Sequence, residues 1–400
     1  MFSSFYSSLS GLVNFSKGLS VLSNNISNMN TQGFKGSTAS FQDLIYKNTQ
    51  SIAGGSSLQI GNGVTLDSTR LDFTQGDIQT TSNDLTAAID GNGFFILGNG
   101  NEQLYTRAGT FEFRDDILVD STSGLSILGF NDNNSLGEID ISALKLSPAI
   151  PTTEVTFENN LSTGGTTHTV TGVTIIDSLG ASNQLSLDFT NNTATTSGSW
   201  LFDIKDTTDT VISNGEIRFN SDGTLQSGFN SYTFNFEPDN GASIIGITLN
   251  FGEPNSTSAV TSLSLGTDST LSVGSQNGRA TGSILSTVFN NAGELNITYS
   301  NTDSVISHSL ALAWFNNLQD LTQSAGAVFS AESSNAPIIA KANEGLNGSI
   351  RPASIELSNV DLTEEFTDLI VVQRGFQGSS QIISATNELV QELLDLRTGR

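Results

Sequence analysis

The chain has 400 residues, of which 36% are hydrophobic, 24 are Phe and only 14% are charged, enough length and apolar bulk for two or three domains with true cores. A net charge of −25, only 15 Lys and Arg in no cluster, and no Cys exclude nucleic-acid backbones, anionic membrane surfaces, disulfides and thiolate chemistry. Ser, Thr, Asn and Gly fill the remainder, as in β-rich proteins whose strands carry neutral polar outer faces.

The opening segment lacks a basic stretch followed by an unbroken apolar core, so no cleavable signal peptide is expected. No window approaches the roughly 18 apolar residues needed to span a bilayer. Phe5, Leu12, Leu19 and Ile26 recur every seven residues, with Phe2 and Leu9 at the intermediate offset. This is one apolar seam on a helix whose other faces carry Ser and Asn. Gly11 and Gly18 weaken it by about 1 kcal/mol each relative to Ala. The helix is expected to stop at Asn30-Thr31-Gln32-Gly33.

From there the period switches to two. Short strands are predicted at Phe94–Leu97, Ser126–Phe130, Val173–Asp177, Leu185–Phe189, Ile217–Phe219, Tyr232–Phe236 and Ile247–Phe251. Turn signals separate them at Asn62-Gly63, Asp90-Gly91, Asn214-Gly215, Asp222-Gly223 and Asn277-Gly278. Such spacing predicts antiparallel sandwiches or barrels, not βαβ units. Pro148 and Pro151 mark the way into a separate β-domain, and 277–282 the way out. The last helix is predicted over 361–396, about 50 Å long. Leu362, Leu369, Phe376, Ile383 and Val390 repeat every seven residues, with Phe366 and Leu394 at the other seam position. Asp361 or Asn359 can cap its start, Glu364 and Glu365 suit its first turn, and Arg397 and Arg400 its end. Gly375 and Gly378 are out of place in its interior.

The expected fold class is therefore α+β: terminal helices forming a coiled-coil-like pair, plus two nested, mainly antiparallel β-domains. The boundaries are 1–70 with 355–400 for the helical part, 71–147 with 284–354 for a discontinuous β-domain, and 148–283 for an inserted outer one. Ordering a residue costs about 1–2 kcal/mol of backbone entropy, and a buried Leu or Phe returns about 1.5–3 kcal/mol. With one seam residue in every three or four, the helices are expected to be mobile in a monomer and to order against further copies.

Chemical motifs are sparse. His168 and His308 are the only histidines and no G-x-S-x-G elbow accompanies them, so no catalytic residue is assigned. Forty acids permit many carboxylate pairs without selecting one. Asp132-Asn133-Asn134 lacks the Gly and distal Glu of a calcium loop, and Gly91-Asn92-Gly93 is a turn, not a phosphate cradle. The expectation is a non-enzymatic protein with no cofactor, metal, nucleic acid or small-molecule substrate.

The stretch Asn24-Asn25-Ile26-Ser27-Asn28-Met29-Asn30-Thr31-Gln32-Gly33-Phe34-Lys35 closely resembles NNIxNxNTxGFK, the N-terminal signature of flagellar rod and hook proteins. Asn359-Val360-Asp361-Leu362 and Gln373-Arg374-Gly375-Phe376-Gln377 resemble that family's C-terminal signature. Further similarity covers most of the chain: Gly91–Phe95 and Tyr105–Phe111 resemble the first β-domain, and Asp177–Gly180 and Phe219–Leu225 the inserted domain of hook proteins, which shorter rod subunits lack. Relatives carry Ala where this chain has Ser27, Gly375 and Gly378, a departure expected to loosen the last helix. The resemblance implies a hook subunit, exported without a cleaved peptide and assembled outside the cell into a flexible tube. Its helices would line a central channel, and its partners would be further copies, rod and hook–filament junction proteins, a hook cap and the export apparatus. Lys35 is expected to anchor the first loop or to meet a neighbouring subunit. The alternatives are a distal rod subunit and, from another class, a secreted β-rich glycan-binding protein or hydrolase.

Overall fold

A computed structural model describes residues 2–44, 47–51, 57–100, 102–332 and 335–398. The chain forms two compact units, one from 1–142, 287–297 and 305–400, the other from 143–286 and 298–304. Among the described residues two long helices, α1 (Phe2–Ser27) and α2 (Leu362–Thr398), are joined through 29 strands, giving an α+β fold. No helix among the described residues is long and apolar enough to cross a membrane.

The second unit is a sandwich. One sheet is a consecutive antiparallel meander of Thr167–Ile176, Ser182–Asn191, Ser199–Lys205 and Val211–Arg218. The other runs in the order Ser231–Phe236, Ile245–Asn250, Glu154–Glu158, Ser272–Gln276, and its central pair is parallel. Alternation along Ser199–Lys205 places Trp200, Phe202 and Ile204 inward, where they meet Phe157, Phe189 and Phe251 from both sheets. The rings of Phe157 and Phe251 stack at 5.0 Å, which adds orientation to burial.

One expected turn is not a turn. Asn214 and Gly215 lie inside the Val211–Arg218 strand, paired with Asp203 and Phe202. The glycine is there for space: a Cβ would strike the Phe202 ring and stand 2.9 Å from Tyr232. The reversal between these strands belongs to Asp206–Thr210, where the Asp206 carboxylate accepts the amides of Thr208 and Thr210 and Asp209 adopts a φ of 66°. Asp222-Gly223 does form a turn, with Gly223 at a φ of 81°.

In the first unit an antiparallel sheet combines Phe94–Asn99, Glu102–Thr106 and Ser126–Phe130 with Ser304–Trp314 and Val328–Ala331. Phe94, Ile96 and Tyr105 from one stretch and Ala313, Phe315 and Phe329 from the other bury one core, so two distant segments fold together. Two short ladders then zip the incoming chain to the outgoing one: Ala87–Asp90 with Ser349–Pro352, and Ile78–Thr80 with Ser354–Glu356. These lead the chain into both helices.

Gly215→Ala is expected to displace the Phe202 ring and destabilise the sandwich by about 1–3 kcal/mol, measured as a lower urea midpoint with an unchanged m-value.

Candidate functional site

The two helices pair antiparallel. Gly11 faces Ser379, Phe15 lies on Gly375, Gly18 meets Val372, and Asn25 bonds Glu365. The buried positions of α1 are Ser8, Gly11, Asn14, Gly18, Leu22 and Asn25, spaced by three and four. Small residues let the backbones approach. The Phe15 ring rests 2.8 Å from where a Gly375 Cβ would be, so this glycine is a packing site and not a loosening one. Gly378 has nothing within 4 Å of its missing Cβ and no comparable role.

This stripe is not the predicted seam. Phe5, Leu12, Leu19 and Ile26 are half-buried and lie about one residue round the helix from it. On α2, Leu362, Leu369, Phe376, Ile383 and Val390 are half-buried, Phe366 and Leu394 are about half exposed, and Val372 is the buried contact. Tyr6, Leu9 and Val13 on α1, and Ile370, Val371 and Ile382 on α2, are exposed. With Gly11 opposite Ser379, α2 beyond about Leu389 runs past the start of α1, carrying exposed Leu393 and Leu396. Large apolar side chains are thus exposed on both helices of the pair.

Two buried asparagines moor α1 to the hairpin formed by Ser37–Asp43 and Val64–Leu71. Asn14 donates to the Val64 carbonyl (2.8 Å) and accepts from the Leu66 amide (3.0 Å). Asn25 does the same to Ser37, at 2.8 and 3.0 Å, and its amide also reaches Glu365 Oε1 at 2.8 Å. Each side-chain amide thus substitutes for a strand edge.

The motif at 24–35 forms the exit of α1. Asn28 Nδ2 bonds the Asn24 carbonyl and side chain, Thr31 Oγ1 bonds Asn28, and Asn30 is exposed. Gly33, at a φ of 66°, presses on the Ala108 backbone and donates its amide to the Glu356 carbonyl. Phe34 and Lys35 are buried. The second motif comes to the same place: Asn359 accepts the Gly36 amide at 2.9 Å and donates to Asp72 and Thr74, while half-buried Val360 packs on Gly36. Asp361, not Asn359, caps α2 by accepting the Thr363 amide at 2.7 Å, and that bond holds its carboxyl below the ordinary range. Gln373 and Arg374 are exposed. The side chains of Arg397 and Arg400 lie outside the described ones.

At the centre of this junction Glu356 is wholly buried. Its Oε1 lies 2.6 Å from Lys35 Nζ and accepts the Gly76 amide, and its Oε2 lies 3.2 Å from Arg107 Nη1. Lys35 also donates to the Thr74 carbonyl, and Arg107 donates to the Gly91 carbonyl and lies over the Phe94 ring. Burial pushes both cations below their ordinary pKa, against the pull of Glu356. Lys35 is therefore an internal anchor with no exposed surface to offer a neighbour. Glu356 carries no signal in the sequence, and Arg107 only its place in Thr106-Arg107-Ala108-Gly109. The histidines have other partners: His168 Nε2 is 2.8 Å from the Leu271 carbonyl, and His308 Nδ1 is 2.8 Å from Ser307 Oγ.

Comparison with known proteins points one way. Family profiles match at 5–35 (flagella basal body rod protein), 88–168 (flagellar hook protein FlgE/F/G D1 domain) and 351–396 (flagellar basal body rod FlgEFG protein C-terminal). The chain is 31% identical to the flagellar hook protein FlgE of Borreliella burgdorferi, over 99% of this chain and 100% of that one. It is 29% identical to that of Escherichia coli and 28% to that of Salmonella typhimurium, each over 98% of this chain and 100% of the relative. A solved structure of the Helicobacter pylori flagellar hook protein FlgE2 aligns with 68% of this chain and 99% of that one, at 14% identity and a TM-score of 0.43.

Two expectations follow. Glu356→Gln leaves two buried cations without their counter-ion and is expected to cost about 3–5 kcal/mol, read from urea unfolding. Glu365 has its carboxyl pKa raised by burial, reinforced by Asp368 and Glu364 and opposed by the Asn25 bond. A carboxyl raised in the folded state contributes most when protonated, and that contribution is lost as pH rises through its folded pKa. Wild type should therefore gain stability relative to Glu365→Gln as the pH falls from neutrality through the Glu365 pKa, measured by thermal unfolding across pH; a constant difference would remove Glu365 from the account.

Proposed function

The chain belongs to the flagellar hook protein family, and we propose that it is the structural subunit of a flagellar hook, polymerising through α1 and α2 into a flexible hollow tube that couples rod to filament and transmits torque. The observation that carries this reading is the mismatch on the helix pair. The intrachain contact uses small and polar positions, while the seven-residue seams and the Tyr6, Leu9 and Val13 face are left partly in water. Apolar surface of this kind is where further copies can pack.

The role is non-enzymatic, and the location is the hook, outside the cell. The chain reaches it unfolded through the flagellar export apparatus, and with no Cys it has no disulfide to be broken or remade on the way. The helices form the inner, coiled-coil-like layer of the tube. The residues proposed to make subunit contacts are the half-buried seams: Phe5, Leu12, Leu19 and Ile26 on α1, and Leu362, Phe366, Leu369, Phe376, Ile383, Val390 and Leu394 on α2. The 148–283 domain offers Ser, Thr and Asn side chains for wet contacts that re-form as the tube bends. The subunit's further partners in this reading are rod and hook–filament junction proteins and a hook cap. Hook proteins match along the whole length, including the sandwich absent from shorter rod subunits, which favours a hook over a distal rod subunit.

Full-length protein, concentrated in high salt to screen the net charge, is expected to form tubes visible by negative-stain microscopy. Removing 1–30 and 360–400 spares Lys35, Arg107 and Glu356 and should give a folded, non-polymerising fragment. Amides of 2–27 should exchange faster in monomer than in tubes; full protection in a permanent monomer would sink the proposal.

A further inference from the structure

Beside the helix pair lies a groove of about 340 Å³. It is lined by the apolar side chains of Leu22, Val371 and Val372 and by the carboxylates of Asp361, Glu364 and Asp368. Asp72 and Glu365 also line it, and no Lys, Arg or His does. One oxygen of Glu365 is bonded to Asn25, whereas the other is buried with no hydrogen-bond partner among the described residues. The dipole of α2 accounts for Glu364 and Glu365 in its first turn, but not for Asp368 or for the open apolar lining beside them. An occupant must therefore be apolar and carry a positive charge.

One surface of the chain has that character. Tyr6, Leu9, Val13 and Lys17 follow one another at three- and four-residue spacing on α1, all exposed, on the side turned away from α2. No ion pair among the described residues involves Lys17. Resting on the hook-subunit reading above, we infer that the acid-rimmed groove of one subunit receives the Tyr6–Val13 stripe of a second copy, with Lys17 entering the ring of Asp361, Glu364 and Asp368. The stripe lies on the first half of α1 and the groove beside its second half. The contact is heterologous: each copy that fills a groove still presents its own groove, so the interaction propagates instead of closing into a dimer.

Full-length protein is assayed by pelleting at the lowest salt that supports wild-type assembly, since higher salt would screen the pair. Lys17→Glu is expected to raise the critical concentration about tenfold or more, as for a reversed charge at an interface, and adding Asp368→Lys should restore assembly. Both positions are exposed, so circular dichroism should show unchanged helix content in each variant. Wild-type-like assembly of Lys17→Glu, or rescue by Asp368→Lys of Arg374→Glu instead, would overturn the contact and leave the hook reading standing. Failure of wild type to assemble would end both. Because the chain has no Cys, Val13→Cys combined with Val371→Cys gives an independent readout. Oxidation under assembly conditions should yield a ladder of covalent oligomers; a single dimer band or none would refute the head-to-tail geometry.

Discussion

Glu356 stands in the last strand before α2, with its side chain out of water and one oxygen committed to each of two cations from elsewhere in the chain. Lys35 comes from the exit of α1 and Arg107 from the strand region after Glu102–Thr106. Three segments separated by tens to hundreds of residues are fixed at one point. Placing a lone carboxylate there would be prohibitive, and two cations without it would be worse, so the junction forms complete or not at all. With the exit of α1 and the start of α2 held together, the helices emerge side by side. The Asn25 to Glu365 bond then sets their register one turn further on. The small-residue stripe, the groove and the exposed faces of the pair all inherit their positions from this arrangement.

The sequence disclosed elements better than it disclosed contacts. The run from Leu362 to Val390 announced α2 within a residue or two of its observed limits, and alternation announced the sandwich strands at Tyr232–Phe236 and Ile247–Phe251. Periodicity weighs apolar residues, however, and the close approach of the helices is made at Gly11, Gly18, Gly375 and Asn25, to which it is blind. What it did find, the Phe5 to Ile26 seam, lies beside that contact. Gly215 misled for a related reason: a turn and an aromatic ring covering a strand ask for the same residue, and only the position of Phe202 distinguishes them. Glu356 was illegible because a buried carboxylate and a solvated one look alike until their neighbours are known.

The β-regions show how a chain with so few charges is held at its surface. Hydroxyls pair across strands, Thr156 with Ser275, Thr233 with Thr248 and Thr322 with Ser330, where other proteins place ion pairs. Such rungs depend little on ionic strength, which suits an acidic molecule whose packing with like-charged copies already depends on screening.

The antiparallel helix pair has a mechanical corollary. The first turn of α1 and the last turns of α2 lie toward the same tip, and both strands of polypeptide run from that tip back to the Glu356 junction. A pull applied at the tip is split between two parallel load paths that reunite only there. Stretching along the helix axis therefore loads both helices in the same direction, so the Asn and glycine-packed contacts between them are neither sheared nor peeled while the load is shared equally.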